Sequence, residues 1–248
     1  MMRLRSVIAD VLIYGWMFVF GLLAAPAAIA SRDATYWIMK TYSRNVFWLL
    51  RVICGVRVEI RGEPPKPGEE VVVASKHQSY LDILLLMHAL PRGKYVMKKE
   101  IMWTPILGFY ALRIGAAPVD RGKGKAALES MSKRLAEQRG ERGQIVIYPQ
   151  GTRIPPGVKA PYKIGAAVLA QRFGMPCVPA ATNVGLCWPK RGPKRPGLAV
   201  IEFLPERIQP EGTPAELLAR MEVAIETASE RLRLEGEIEQ RRIADRLT

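Results

Sequence analysis

The residues best suited to acid–base chemistry are His77 and Asp82, which lie five positions apart just after a run of valines. A neutral imidazole can accept a proton near neutral pH, and a carboxylate bonded to its other nitrogen fixes the tautomer and stabilises the imidazolium. Five residues of continuous helix would turn the two side chains about 140° apart. We therefore expect His77 in a loop and Asp82 in the first turn of the following helix.

The same segment also has a purely structural interpretation. Ser79 and Asp82 have the spacing of a capping box, in which Ser79 caps the helix and the acidic side chain satisfies its first free amide. Taken alone, the segment leaves catalysis and capping as alternatives.

Four short blocks, in this order along the chain, resemble the motifs of the glycerolipid acyltransferase family. His77 and Asp82 correspond to its His-x-x-x-x-Asp block, and Asp120 and Arg121 end a strand as its second block does. The third and fourth blocks are matched by Tyr148-Pro149-Gln150-Gly151-Thr152-Arg153 and by Val178-Pro179. The resemblance covers roughly residues 74–206.

This resemblance implies transfer of a fatty acyl group from acyl-CoA or acyl-ACP to the sn-2 hydroxyl of lysophosphatidate, which gives phosphatidate. It implies His77 as the general base, oriented by Asp82, and neither a cofactor nor a metal. Direct attack by the lipid hydroxyl needs no enzyme nucleophile. Guanidinium groups suit the acceptor's phosphate, and a glycine allows close backbone approach. The expected substrate-binding residues are Lys76, Asp120, Arg121, Gln150, Gly151, Thr152 and Arg153.

The third block departs from the family pattern at Gln150, where most members have glutamate. Glutamine keeps a hydrogen-bonding amide but carries no charge and cannot transfer a proton. The expected cationic surroundings predict that a glutamate would be tolerated at this position.

The overall charge favours an anionic partner. Thirty-seven lysines and arginines against 23 acidic residues give a net charge of +14. This balance suits an anionic membrane, a phosphorylated substrate or an acidic carrier protein. We do not expect a nucleic-acid partner, because the chain has no recognised nucleic-acid motif. Three dispersed cysteines and two histidines form no Cys/His cluster, so we do not expect a zinc site.

The N-terminal region predicts membrane attachment. Residues 11–30 carry no charge, a length sufficient to cross a bilayer, although the segment also resembles a signal peptide. Residues 34–55 place Lys40, Arg44 and Arg51 on one side of a helix, and an apolar stripe on the other (Ile38, Tyr42, Val46, Leu49 and Ile53). This pattern predicts a helix in the membrane surface, or alternatively a core-facing helix. Together the two helices would dip into the inner membrane and return to its cytoplasmic face.

Beyond residue 55 the pattern alternates between strands and helices, which predicts an α/β fold with a mainly parallel sheet flanked by helices. The sequence thus divides into membrane-anchoring helices at 1–55 and an α/β acyltransferase domain at 56–248. Two other functions stay open: acylation of another lysolipid, such as a lyso-ornithine lipid, and non-catalytic binding to anionic membranes.

Overall fold

The structure, a computed structural model, describes residues 1–120, 124–137 and 143–246. Its helices are α1 (Met2–Ala30), α2 (Arg32–Leu49), α3 (Leu81–Ala89), α4 (Pro105–Arg113), α5 (Gly124–Glu137), α6 (Gly165–Phe173) and α7 (Pro214–Asp245). Its strands are β1 (Val56–Arg61), β2 (Val72–Ser75), β3 (Gly93–Lys98), β4 (Ala117–Val119), β5 (Gln144–Ile147), β6 (Cys177–Thr182) and β7 (Gly197–Phe203).

The seven strands form one sheet in the order β1-β7-β6-β2-β5-β3-β4. Every neighbouring pair is parallel except β6 and β7. The predicted mainly parallel α/β fold is confirmed. At the centre of the sheet, β2 lies between β6 and β5, so residues that follow β2 and β5 emerge side by side at one edge. Both strands are buried along their whole length, which agrees with their runs of valine and isoleucine.

Helices cover both faces of the sheet. On one face α1, α2 and α3 form an apolar cluster with alternate residues of the strands, such as Val73 and Val146. On the other face α5, α6 and α7 pack against the intervening residues, such as Val72 and Ile145. The alternation follows from the pleat of a strand, which directs successive side chains to opposite faces.

The first two helices form a hairpin that packs on the domain. The Thr35 hydroxyl donates to the Ala28 carbonyl near the turn, and the Tyr42 hydroxyl donates to the Ile13 carbonyl farther along. Ala9 and Ile13 of α1 belong to the same apolar cluster as the strands. Residues on both sides of the boundary predicted at residues 55 and 56 therefore pack in one apolar cluster.

The second helix corrects one expectation. The residues predicted to face lipid, notably Ile38, Tyr42 and Val46, are buried. They pack in apolar clusters of the protein's interior, which is the core-facing alternative. The exposed side instead carries Trp37 and Trp48 together with cations. The reason is that α2 packs on α1 and α3. Turning its most apolar side toward these helices removes the largest apolar area from water, which is the favourable arrangement.

The described residues include one helix, α1, that is long and apolar enough to cross a membrane. Its outward side exposes large apolar residues such as Leu12, Phe18 and Leu23. The sequence analysis did not predict α4, whose Tyr110 hydroxyl donates to the Gly21 carbonyl and whose Arg113 guanidinium donates to carbonyls at the end of α1. These contacts fasten α1 to the domain.

Candidate active site

His77 and Asp82 form a direct hydrogen bond. The His77 Nδ1 atom lies 2.8 Å from Asp82 Oδ1. His77 follows β2 in a loop, and Asp82 is the second residue of α3, as their expected contact requires. Asp82 is completely buried and the His77 side chain is 12% exposed. A buried carboxylate on Nδ1 favours the tautomer that leaves Nε2 without a hydrogen, and Nε2 is then the basic atom.

The second oxygen of Asp82 has a structural task. Asp82 Oδ2 accepts hydrogen bonds from the backbone amides of Gln78, at 2.8 Å, and Ser79, at 2.7 Å. The Ser79 hydroxyl accepts from the Leu81 amide at 3.2 Å. The predicted cap at Ser79 is not formed, because the N-cap of α3 is Tyr80 and has no side-chain cap hydrogen bond. Asp82 instead holds the loop before α3 with one oxygen and the imidazole with the other.

Tyr148 packs flat against the imidazole of His77. The two ring centroids are 4.1 Å apart and the planes make an angle of 23°. Tyr148 follows β5, the strand next to β2, which brings the first and third sequence blocks together. Its hydroxyl is buried with no hydrogen-bond partner among the described residues, as is that of Tyr95. Burial, reinforced by the negative charge of Asp82, raises the pKa of Tyr148 well above its ordinary value. The sequence analysis quoted Tyr148 in the motif but did not count it among the site residues.

The rest of the third block is joined to the histidine loop through the backbone. The Ile154 amide donates to the His77 carbonyl at 2.8 Å, so Arg153 stands one residue from this junction. Gly151 has a φ of +69°, a conformation that favours glycine, and Lys163 packs directly over it. Thr152 is exposed at the surface of the same turn.

Gln150 lies inside this turn rather than at its surface. The side chain is buried, and its Nε2 donates to the Ala160 carbonyl at 3.5 Å. Its Oε1 is buried with no hydrogen-bond partner among the described residues. Gln150 therefore contacts a carbonyl. The prediction that a glutamate would be tolerated here assumed a neighbouring cation instead.

Two other predicted site residues are engaged in ion pairs. The Lys76 ammonium is buried and contacts Glu226 of α7 at 2.5 Å, and the same carboxylate accepts from the Tyr162 hydroxyl. Asp120 pairs with Lys99 at 2.5 Å. Asp120 follows β4, three strands from β2, so it stands roughly 14 Å along the sheet edge from His77. Arg121 falls outside the described residues.

Gln78 is a residue of this site that the sequence analysis did not single out. Its amide donates to the Thr182 carbonyl at 2.9 Å and accepts from the Gly185 amide at 3.0 Å. The sequence could not predict these contacts, because they depend on the position of the loop after β6. Gln78 thereby ties the histidine loop to β6.

A cavity of about 150 Å³ opens beside His77 on the face that α1 and α2 cover. Its wall is almost wholly apolar and is built from both N-terminal helices, α3, α4 and β3, with residues that include Met17, Phe20, Ile38, Leu84, Met87, Met97 and Tyr110. Such a wall suits a hydrocarbon chain, and His77 is one of the residues that line it.

No group of three or more His, Cys, Asp or Glu side chains positioned to hold a metal ion occurs in residues 1–120, 124–137 and 143–246. The three cysteines are buried and unpaired, and burial raises the pKa of Cys177 and of Cys187 to about 12. At neutral pH these two thiols are protonated and are poor nucleophiles. The site geometry thus offers a base but no cysteine nucleophile.

The chain is similar to known proteins in both sequence and fold. Residues 57–183 match the family described as Acyltransferase. The chain is 33% identical, over 78% of its length and 77% of the relative's, to a 1-acyl-sn-glycerol-3-phosphate acyltransferase of Pseudomonas aeruginosa. It is 28% identical to the Saccharomyces cerevisiae protein of the same name, over 81% of its length and 67% of the relative's. The fold matches the crystal structure of a 1-acyl-sn-glycerophosphate acyltransferase from Thermotoga maritima, with a TM-score of 0.76 at 22% identity, over 94% of this chain and 98% of that one. By the matched family and the relative from Pseudomonas aeruginosa, the chain belongs to the acyltransferase family.

Proposed function

We propose that this enzyme transfers a fatty acyl group from an acyl thioester to the sn-2 hydroxyl of lysophosphatidate and so makes phosphatidate. The observation that carries the proposal is the His77–Asp82 contact of 2.8 Å at the mouth of an apolar cavity. The names of the relatives from Pseudomonas aeruginosa and Saccharomyces cerevisiae support lysophosphatidate as the acceptor.

In this mechanism His77 is the general base. Its Nε2 takes the proton of the acceptor hydroxyl while the hydroxyl oxygen attacks the thioester carbon. Asp82 stabilises the imidazolium that forms, without itself taking the proton. When the tetrahedral intermediate collapses, the carbon–sulfur bond breaks and His77 returns the proton to sulfur. No covalent enzyme intermediate is required.

Binding of the acceptor's phosphate is assigned to the third block. Arg153 offers a planar guanidinium one residue from the amide that bonds to His77. Gly151 and Thr152 belong to the same turn. Arg121 is assigned to the phosphate on the motif resemblance alone. The pairing of Lys76 with Glu226, and of Asp120 with Lys99, favours positioning roles for these two residues over direct contact with the phosphate.

We further propose that the protein acts at the cytoplasmic face of the inner membrane, through the exposed apolar side of α1 and the Trp37 and Trp48 side of α2. Aromatic residues beside cations, here Arg44 and Arg51, are typical of a membrane interface. The donor would be acyl-CoA or acyl-ACP, each of which arrives from water.

The test is acyl transfer by the purified protein in phospholipid vesicles, with palmitoyl-CoA as donor. Lysophosphatidate, lyso-ornithine lipid and lysophosphatidylcholine are offered in parallel, and thiol release and lipid products are measured. We expect phosphatidate as the main product, and a loss of about 10²–10⁴-fold in kcat for His77→Ala. Preferred acylation of another lysolipid would refute the acceptor, and full turnover by a folded His77→Ala protein would refute the mechanism.

A further inference from the structure

A second cavity lies on the opposite face of the sheet. It has a volume of about 360 Å³ and is lined by β3, β4, β5, α5 and α6, with a mainly apolar wall. Residues of this wall include Val119, Leu128, Met131, Ile147, Gly165 and Ala166. None of these residues lines the first cavity, and none has a task in the mechanism described above. The same wall also includes Tyr148 and Gly151, so the cavity borders the site described above.

The two cavities share part of their walls beside the catalytic histidine. Val96, Met97 and Tyr148 line both of them. Tyr148 is the residue stacked on His77 at 4.1 Å. A substrate with one end in each cavity would have to span this shared wall, beside the imidazole that lines the first cavity.

An acyl thioester has this shape, because it extends from its reacting carbonyl in two directions. One direction is the fatty acyl chain, and the other is the pantetheine arm that CoA and acyl carrier protein have in common. We propose that the second cavity binds the pantetheine arm of the acyl donor while the first cavity holds the acyl chain. The inference rests on the proposed function, which it deepens by locating the carrier half of the donor.

The position of each cavity distinguishes this occupant from the acceptor's own acyl chain. The first cavity is walled by α1 and α2, whose outward sides carry the exposed apolar residues. A lipid that entered from a membrane on that side would have to pass through the sheet to reach the second cavity. The donor's carrier is water-soluble, so its arm can approach from the face covered by α5 and α6. The arm consists mainly of methylene and methyl groups, with two amides, which suits an apolar wall with few polar groups.

Charge at the rim agrees with this direction of entry. Lys163 lines the second cavity and is exposed, and its ammonium lies over Gly151. Lys163 is therefore a cation at the rim of the second cavity, on the side from which an anionic carrier can approach. In the reaction the acceptor oxygen bonds to the carbonyl carbon and the carbon–sulfur bond breaks. The released thiol, protonated by His77, then occupies the second cavity until it leaves.

Gly165 allows the second cavity to be filled without disturbing the first. It is at the start of α6, and a Cβ built there would meet only one atom within 4 Å, Leu128 Cδ1 at 3.9 Å. Gly165→Met should therefore occupy the space of the arm without a backbone clash. The matched control is Arg172→Met, which adds the same side chain to an exposed position of the same helix outside the cavity. Leu128→Phe, on the opposite wall, is the second variant if Gly165→Met does not fold.

Binding is measured by calorimetry with two non-reactive thioethers in the full-length protein in vesicles. S-hexadecyl-CoA carries the complete arm, and S-hexadecyl-N-acetylcysteamine carries only its first few atoms. We expect Gly165→Met to weaken S-hexadecyl-CoA binding by about tenfold or more and the short analogue by about twofold or less, with Arg172→Met unchanged. Equal weakening of both analogues, or no weakening of either, would overturn the proposal.

Turnover separates this proposal from the proposed function. If the wild-type protein binds both thioethers in the expected pattern but transfers no acyl group to lysophosphatidate, the function fails and the arm site stands. If it turns over palmitoyl-CoA and Gly165→Met raises KM for lysophosphatidate instead of for the donor, the second cavity holds the acceptor chain and the arm site fails.

Discussion

Asp82→Asn tests the site most sharply, because the two oxygens of Asp82 have different partners. Oδ2 accepts from the Gln78 and Ser79 amides, and Oδ1 faces His77 Nδ1. Asparagine has one oxygen and one NH₂ group. If the NH₂ pointed at the two amides, both buried donors would be left unpaired, at a cost of about 1–3 kcal/mol each. The oxygen of asparagine will therefore take the place of Oδ2, and its NH₂ will face the imidazole.

That orientation reverses the tautomer of His77. An NH₂ group donates to Nδ1, so the ring hydrogen moves to Nε2, the atom that must accept the substrate proton. We expect kcat to fall by about 10²–10⁴-fold, the range over which a positioned general base contributes. The fold should lose only about 1–3 kcal/mol, because the amides of Gln78 and Ser79 keep an acceptor although the charge is lost.

The assay is thiol release from palmitoyl-CoA at saturating lysophosphatidate, with thermal denaturation followed by circular dichroism. Asp33→Asn is the matched control, since Asp33 is exposed and pairs with Arg92 far from the histidine. Wild-type kcat in a folded Asp82→Asn protein, or a loss of activity no greater than the unfolded fraction, would show that Asp82 acts as a cap alone.

Three further predictions follow from the same contacts. Tyr148→Phe should keep near-normal kcat and stability, because it preserves the stacked ring and removes a hydroxyl with no partner among the described residues. Tyr148→Leu should lower kcat by up to about tenfold, since an aromatic pair contributes ~0.5–1.5 kcal/mol. Equal kcat in the two variants would contradict the stacking role. Arg153→Ala should raise KM for lysophosphatidate more than KM for the thioester, with partial recovery in Arg153→Lys, as steady-state kinetics with each substrate varied would reveal. Gln150→Glu should lower the unfolding temperature measured by calorimetry, because it loses the amide that donates to the Ala160 carbonyl and places a carboxylate in a buried turn. An unchanged unfolding temperature would instead support the prediction from sequence that a glutamate is tolerated at this position.

The sequence alone was sufficient for the class of fold and for the contact between His77 and Asp82. Alternation of short apolar runs with helical patterns depends only on local periodicity, which the sheet and its two helical layers preserve. His77 and Asp82 are five residues apart, so their contact is decided by where one helix starts. The family resemblance also indicated Arg153 and Gly151, and Gly151 has a positive φ in the turn of the third block.

Other features were decided by tertiary structure, because they join parts of the chain that are distant in sequence. Tyr148 meets His77 only because β5 pairs with β2, and Glu226 reaches Lys76 only because α7 packs on that face. The apolar side of α2 faces the core and not lipid, although the periodicity of the sequence is the same in both cases. An amphipathic pattern indicates that one side of a helix is buried, and the packing of the other elements determines what it is buried against.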